Sequence, residues 1–360
     1  MLQTPLYDWH ADNGARMVDF AGWHMPVQYS SIVDEHTAVR TQVGMFDIAH
    51  MGRVKFTGAD ACAFLDRIVT NNVAALDVGQ IRYALVCKED GGILDDVLVY
   101  RFEDFYMAVV NASNREKIVA WLDQHKGDAD VNIEDLTTSW FMLAIQGPSA
   151  IEVAQPFVDA SIAEMKYYTG CETTVQGNYG IVTRTGYTGE DGCEIIVDNA
   201  NAVAIWTALM EAGESVGIKA AGLGCRDTLR LEAAMPLYGH EMNEDTEPYT
   251  AGLSFGVKLK AADFIGKEAC VAAKAKTDRL VRVGLELEGR RIAREETPIM
   301  LGDDRIGTVT SGTFSPTLQK SISMGYVPKA QSEPGTQVEV DLRGKRNTAT
   351  VVKLPFYKRA

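Results

Sequence analysis

Apolar positions recur at helical spacing in the first part of the chain and at strand spacing in the last. Thr4 with Pro5 behind it opens a helix that Asn13 and Gly14 stop. Ile32, His36, Val39 and Val43 share one helical face, which predicts a helix over about 31–43 with Gly44 as its stop. On that stripe His36 reads as a satisfied core residue. Ala61, Phe64, Leu65 and Ile68 repeat the helical spacing. YALVCKEDGGILDDVLVY then reads as two strands joined by a turn at 89–92, and FYMAVVNAS as a third strand. Ser113 followed by Glu116 has the form of a capping box, and Ile118, Trp121 and Leu122 give the buried face of the helix it would open. WFMLAIQGP is an apolar strand, with a helix starting at Ser149. YGIVTRTGYTGEDGCEIIV reads as two strands around a glycine-rich connection, and 202–216 and 222–235 read as helices.

The pattern changes near 272–279, a polar, lysine-containing stretch without aromatics. Beyond it nearly everything is β. Val283, Leu285 and Leu287 alternate on one face, as do Val338, Val340 and Leu342, and turns fall at 302–304 and 344–345. Short strands with frequent turns predict a small barrel or sandwich. The mixed strand-and-helix pattern before it predicts α+β rather than a doubly wound parallel sheet.

Composition narrows this picture. With 360 residues, 46% hydrophobic and 23% charged, the chain is long enough for more than one packed unit. No apolar run is long enough to span a membrane as a helix, and the N-terminus has neither the basic stretch nor the apolar block of a targeting segment. A cytoplasmic protein is expected. Six cysteines without a CxxC pair are expected as reduced thiols, and six histidines without HxxxH spacing argue against a zinc or iron site. A net charge of −14 argues against nucleic acid as partner. An anionic small ligand would need a local basic pocket. The candidates are Arg226 with Arg230, the run Arg290, Arg291 and Arg294, and the tail Lys358 and Arg359, each of which also reads as solvated surface charge.

Three segments carry chemistry. In GGILDDVLVY (91–100), strict alternation puts Asp95 with Ile93, Val97 and Val99, and Asp96 with Leu94, Leu98 and Tyr100. Both faces are apolar, so at least one carboxylate is poorly solvated and must be hydrogen-bonded or hold its proton. Such a group is either a catalytic acid or base or a cap for the turn at Gly91 and Gly92. In TRTGYTGEDGCEIIV (183–197), Gly186, Gly189 and Gly192 imply special backbone angles or a close approach, without the ending of a P-loop. Glu194 follows in an apolar strand, suited either to the edge of an aminopyrimidine or to an arginine. In AAGLGCRDTLRLEAAMPLYG (220–239), Arg226 lies in the first turn of a helix, where a positive group needs an anion nearby. Arg230 is one turn further on the same face.

Together these blocks resemble the aminomethyltransferase (T-protein) family of the glycine cleavage system. TPLYDWH (4–10), FAGWHMPVQY (20–29), GMFDIAHMG (44–52), AIQGP (144–148), RDTLRLEAAMPLYGHEM (226–242), IGTVTSGTFSPTLQKSISMGYV (306–327) and LPFYKR (354–359) extend the likeness along almost the whole chain. The resemblance implies a mixed, largely antiparallel tetrahydrofolate-binding region over 1–272, made of two interleaved subdomains with a break near 51–140, and a β-barrel domain over 280–360. It implies transfer of an aminomethyl carbon from the lipoyl arm of an H-protein to tetrahydrofolate, with release of ammonia. It chooses Asp96 as the active-site carboxylate, able to relay a proton or steady developing positive charge. It places folate contacts at Glu194, Arg226, Tyr83, Tyr168 and Tyr187, and at Tyr357 or Arg359 in the tail, and it implies no metal. Folate-binding iron–sulfur assembly factors share the fold but carry KGCYxGQE, where this chain has DFIGKEAC (263–270). Tetrahydrofolate-dependent demethylases share it too, but usually lack the FAGW and GYTGEDG blocks.

Overall fold

The computed structural model describes residues 1–261 and 263–359. Gly44–Asp47 pairs antiparallel with Trp140–Gln146 across the long stretch between them. These two strands sit inside a six-stranded sheet ordered Gly170–Val175, Asn178–Thr183, Gly192–Asp198, Trp140–Gln146, Gly44–Asp47 and Lys219–Ala220, in which only the last pair is parallel. The intervening stretch builds a five-stranded antiparallel sheet of its own. Its order is Ile81–Cys87, Ile93–Arg101, Tyr106–Val110, Gly52–Thr57 and Asn132–Asp135. The two sheets are therefore interleaved in sequence, and the architecture is α+β as the pattern predicts.

Both faces of each sheet are apolar because both are covered. The outer face of the six-stranded sheet packs Leu143, Ile145 and Ile195 against Trp206 and Leu209 of the helix Ala202–Ala212. The outer face of the five-stranded sheet packs Val97 and Val99 against Phe64 and Leu65 of Ala61–Ile68 and Ile118 of Arg115–Lys126. The inner faces meet each other. Phe46, Met142, Ile181 and Ile196 of one sheet share a cluster with Ile81, Tyr100, Met107 and Val109 of the other. Each such side chain contributes about 1.5–3 kcal/mol on burial, so this common layer holds the sheets face to face.

Six strands then close into a barrel, in the order Leu280–Leu287, Lys320–Pro328, Asp304–Ser315, Pro298–Leu301, Gln337–Asp341 and Arg346–Val352. The alternating Val283, Leu285, Leu287, Val338 and Val340 fill its interior. The barrel meets the sheets through the helix Leu223–Glu232, whose Leu231 packs on Ile322 and Met324.

Some local expectations shift. The first helix is Tyr7–Asp12, later than Thr4 and Pro5 suggest, because the Thr4 hydroxyl donates to the buried Asp47 at 2.5 Å instead of capping. Ser31 does cap Ile32–Thr41, accepting from the Asp34 N–H at 3.1 Å. His36 is a satisfied core residue, within 2.7 Å of Thr228 Oγ1 and 2.9 Å of Thr317 Oγ1. Among the described residues Ser113 makes no capping bond. A short 3₁₀ turn, Ala112–Asn114, precedes the helix Arg115–Lys126, and Asn114 turns its amide to Asp95 of the five-stranded sheet.

Candidate active site between the two sheets

The site is the polar continuation of the layer between the sheets. It is set by one irregularity in GGILDDVLVY. The turn closes with the Lys88 N–H donating to Gly92 O at 2.9 Å and the Gly91 N–H to Lys88 O at 3.0 Å, with Gly91 at φ 86°. Asp90, not Asp95 or Asp96, caps that turn, accepting from the Gly92 N–H at 2.9 Å. Immediately afterwards the strand bulges: Cys87 pairs with Ile93 and Val86 with Asp95, so Leu94 is the extra residue. The bulge corrects the alternation read from sequence. Leu94 joins Val97 and Val99 on the outer face, whereas Ile93 joins Leu85 and Cys87 on the inner face. Asp96 pairs with Leu85 and takes the inner face, and Asp95 takes the outer one.

Asp96 accepts from the Tyr83 hydroxyl at 3.0 Å on Oδ2 and from Asn111 Nδ2 at 2.8 Å on Oδ1. Asp95 is fully buried and accepts from the Asn111 N–H at 3.0 Å, Asn111 Nδ2 at 2.8 Å and Asn114 Nδ2 at 2.6 Å. Burial pushes both carboxyls above their ordinary range; for Asp95 the charge of Asp96 adds to it, and for Asp96 that of Glu241. Asn111 was not singled out by the sequence reading. Its only signal is an asparagine closing the apolar strand FYMAVV.

Across the gap, Glu194 lies on the inner face of the six-stranded sheet, beside Ala144 and Thr183. It is 6% exposed and accepts from the Thr185 hydroxyl at 2.5 Å on Oε2; among the described residues no hydrogen bond reaches Oε1. Burial raises its pKa, against Thr185 and the charge of Arg226, which lower it. Arg226 lies in the first turn of its helix as expected. Its guanidinium sits 4.7 Å above the Tyr187 ring, with no ion pair or hydrogen bond among the described residues. Tyr187 is anchored through its hydroxyl, which donates to Pro236 O. His50 faces the same arginine. Burial first, and Arg226 next, push its pKa down to about 3, so it is neutral there.

Arg226 and Arg230 do not act as a pair. Arg230 is buried and turned to Glu241 at 2.8 Å and to Ser311 of the barrel at 2.8 Å. The glycines of GYTGEDG also have a local reason. A Cβ at Gly186 would meet Gln146 Oε1 at 2.0 Å, and one at Gly192 would meet Ile145 O at 2.3 Å. The close approach is the chain's own.

Tyr168 joins the two sheets. Its N–H donates to Arg184 O and its carbonyl accepts from the Ile81 N–H, both at 2.9 Å, with φ 62° at that residue. It lines a cleft of about 670 Å³ with Tyr83 and Phe255, whose rings stack at 5.2 Å, and with Arg82, Lys258 and Lys260. The C-terminal tail lies against the glycine-rich loop. Tyr357 sits 4.0 Å under Arg40, while Arg359 pairs with Asp191 at 3.3 Å and lies 5.9 Å from the Tyr167 ring. Arg359 is thus beside Tyr167, next to Tyr168, rather than against Asp96.

Tyrosine and phenylalanine walls, a buried carboxylate whose second oxygen has no bond among the described residues, a guanidinium without an ion pair there and a carboxyl whose pKa burial raises suit a flat heteroaromatic ligand with donor edges and a charged end. Comparison with known proteins agrees in extent as well as kind. The GCVT N-terminal domain family matches residues 6–261, and the glycine cleavage T-protein C-terminal barrel domain family matches 281–358. An aminomethyltransferase of Rubrobacter xylanophilus is 49% identical over 360 residues, covering 100% of this chain and 95% of that one. That of Streptomyces avermitilis is 46% identical, covering 99% and 97%. The crystal structure of glycine cleavage system aminomethyltransferase T from Bartonella henselae superposes with a TM-score of 0.93 at 35% identity, covering 99% of this chain and 98% of that one.

Proposed function

Because the chain belongs to the glycine cleavage T-protein family of aminomethyltransferases, we propose that the cleft between its two sheets moves an aminomethyl carbon from the lipoyl arm of an H-protein to tetrahydrofolate. Ammonia and 5,10-methylenetetrahydrofolate are the products. The observation that carries the reading is a buried Glu194, with one oxygen unbonded among the described residues, and an Asp96 bonded to Tyr83 and Asn111, both close enough to add to burial in raising the pKa of Tyr168.

In this reading Glu194 accepts from the donor edge of the pterin. Tyr83, Tyr168 and Tyr187 pack on the rings, and Arg226 takes an anionic or carbonyl group. Arg82, Lys258 and Lys260 at the cleft mouth suit the carboxylates of the glutamate tail, supplying a local positive field on a chain of net charge −14. Arg359 closes the outside of the site through Asp191 and Tyr167. Asp96 holds or moves one proton at the reacting centre, its Oδ2 bonded to Tyr83 and its Oδ1 to Asn111. Residues 1–272 form the folate-binding region and 280–360 the barrel domain, and the reaction takes place in the cytoplasm.

The test supplies aminomethylated H-protein and tetrahydrofolate and scores ammonia. The wild-type chain releases it, and Asp96→Asn slows release by roughly 10²–10⁴-fold while circular dichroism is unchanged. An Asp96→Asn variant within a few-fold of wild type removes Asp96 from the chemistry. Demethylation of another donor with no ammonia from H-protein moves the chain to the demethylases of the same fold.

A further inference from the structure

Two adjacent carboxyls share a single amide. Asn111 Nδ2 donates to Asp95 Oδ1 at 2.8 Å and to Asp96 Oδ1 at 2.8 Å, and also lies 3.2 Å from Asp96 O. Strand alternation sends the two side chains to opposite faces, yet the asparagine at the end of the next strand reaches both. The two carboxyls differ in the character of their partners. Every partner of Asp95 is an N–H: the Asn111 backbone, Asn111 Nδ2 and Asn114 Nδ2. An N–H can only donate, so Asp95 keeps all three bonds as a carboxylate. Asp96 instead meets a hydroxyl at 3.0 Å, and a hydroxyl can accept as readily as it donates. Asp96 can therefore carry a proton without orphaning a partner.

We propose that Asp95 is a positioning residue: held ionised by three N–H donors, its charge keeps the pair's proton on the neighbouring Asp96, and the Asn111 amide they share sets the two carboxyls side by side. The inference rests on the reading of Asp96 as the reacting carboxyl. Two like charges on successive residues cannot both persist in a buried place, so the fully donor-bound one keeps the charge and the other takes the proton. The surroundings do not undo this. Asp96 faces Tyr83, Tyr168, Tyr187 and Glu241, and Glu241 is neutralised by Arg230. Arg282 acts on Tyr83. Asp95 faces Tyr238, whose hydroxyl is held by Lys117 at 2.9 Å. No guanidinium or ammonium bonds either carboxyl among the described residues. In the transfer, a proton resting on Asp96 is at the group that meets the ligand, not one residue behind it.

The experiment reads the titration of the Asp96 carboxyl carbon by ¹³C NMR, assigned by its loss in Asp96→Asn, together with the pH profile of ammonia release. In Asp95→Asn the Asp96 midpoint falls by about 1 unit or more, and the limb of the rate profile that it controls moves down with it. In Asn111→Ala the midpoint moves the other way, because Asp96 loses a donor while Asp95 keeps its charge. A purely structural Asp95 would lower the rate without moving either midpoint or limb, and that result overturns the inference. If Asp95→Asn does not fold, Asn114→Ala decides: it strips a donor from Asp95 alone, so Asp95 takes up the proton more readily and the Asp96 midpoint falls, and an unmoved midpoint there overturns the inference equally. Ammonia release by the wild type with an unmoved midpoint sinks this inference alone. A wild type that releases none sinks the transferase reading, while the NMR titration still reports on the pair.

Discussion

At the scale of the residue, polar groups in this site matter for what they leave unbonded. Arg226 lies on Tyr187 with neither ion pair nor hydrogen bond among the described residues, at the positive end of its own helix. Arg230, one turn on, is fully committed to Glu241, Asp227 and Ser311. The two arginines look alike in sequence and differ only in what the fold brings to them. Arg226→Ala is therefore expected to weaken tetrahydrofolate binding by roughly 10–100-fold, the loss of one charged hydrogen-bonding group at about 1.5–3 kcal/mol, with a smaller effect on turnover. Calorimetry of folate binding checks it, and an unchanged affinity counts against the role. Glu194 and Asp96 were legible as carboxylates in apolar strands. Asn111 and His50 were not, because nothing in the local pattern shows that an asparagine at a strand end bonds two carboxyls or that a histidine ends up neutral beside an arginine.

At the scale of the element, the turn before the Asp95–Asp96 strand carries more than a change of direction. Gly92 has ordinary φ, yet a Cβ there would lie 2.0 Å from Glu244 O and 2.8 Å from Lys88 Cε. The segment around 244 packs directly on the turn, with Glu244 held by Lys117 at 3.0 Å and the Ile93 N–H donating to Thr246 O at 3.1 Å. That docking fixes the start of the strand, and the bulge at Leu94 then decides which aspartate enters the cleft. Gly92→Ala is expected to cost about 1–3 kcal/mol by overpacking, read as a lower denaturant midpoint, and to impair transfer along with it. Stability and rate both within error of wild type would mean that the 244 segment gives way without moving the strand. Periodicity alone placed the two strands and their turn correctly. It missed the bulge because an extra residue flips the phase without changing the apolar composition.

At the scale of the whole molecule, the barrel and the sheets are joined by a buried ionic cluster. Glu232, at the end of Leu223–Glu232, takes Arg40 Nη2 at 2.8 Å, His36 Nε2 at 3.2 Å and the Thr317 hydroxyl at 2.8 Å, and accepts also from Ser315. Arg40 reaches on to Glu190 at 2.9 Å in the glycine-rich loop and lies over Tyr357 of the tail. Burial by itself would raise the pKa of Glu232. The His36 bond and charge, Ser315 and Arg40 outweigh it and bring it down to about 2 from 4.5. A carboxylate lowered on folding stabilises the fold at pH above its unfolded value, and that contribution drains away as pH falls from about 4.5 to about 2. Acid unfolding followed by fluorescence is expected to steepen in this window, and Glu232→Gln to be less stable at neutral pH with a flatter acid limb. A parallel acid limb in both proteins would place the acid sensitivity elsewhere.

The sequence by itself determined the element types, the α+β region followed by a β-barrel, and the family, because these follow from local periodicity, turn chemistry and ordered motif blocks that need no long-range contact. It also marked the carboxylates, since a charge in an apolar strand is conspicuous wherever the strand goes. Tertiary structure decided the rest. It decided that Asp90 caps the turn, that Leu94 bulges, that Asp95 and Asp96 meet through Asn111, and that only one of two matching arginines is left free. Apart from the Asp90 cap, which lies two residues from its donor, these are choices among partners 11 to 16 residues away in the chain. Their energies depend on which donors and charges burial brings within reach, and no window of local sequence contains that information.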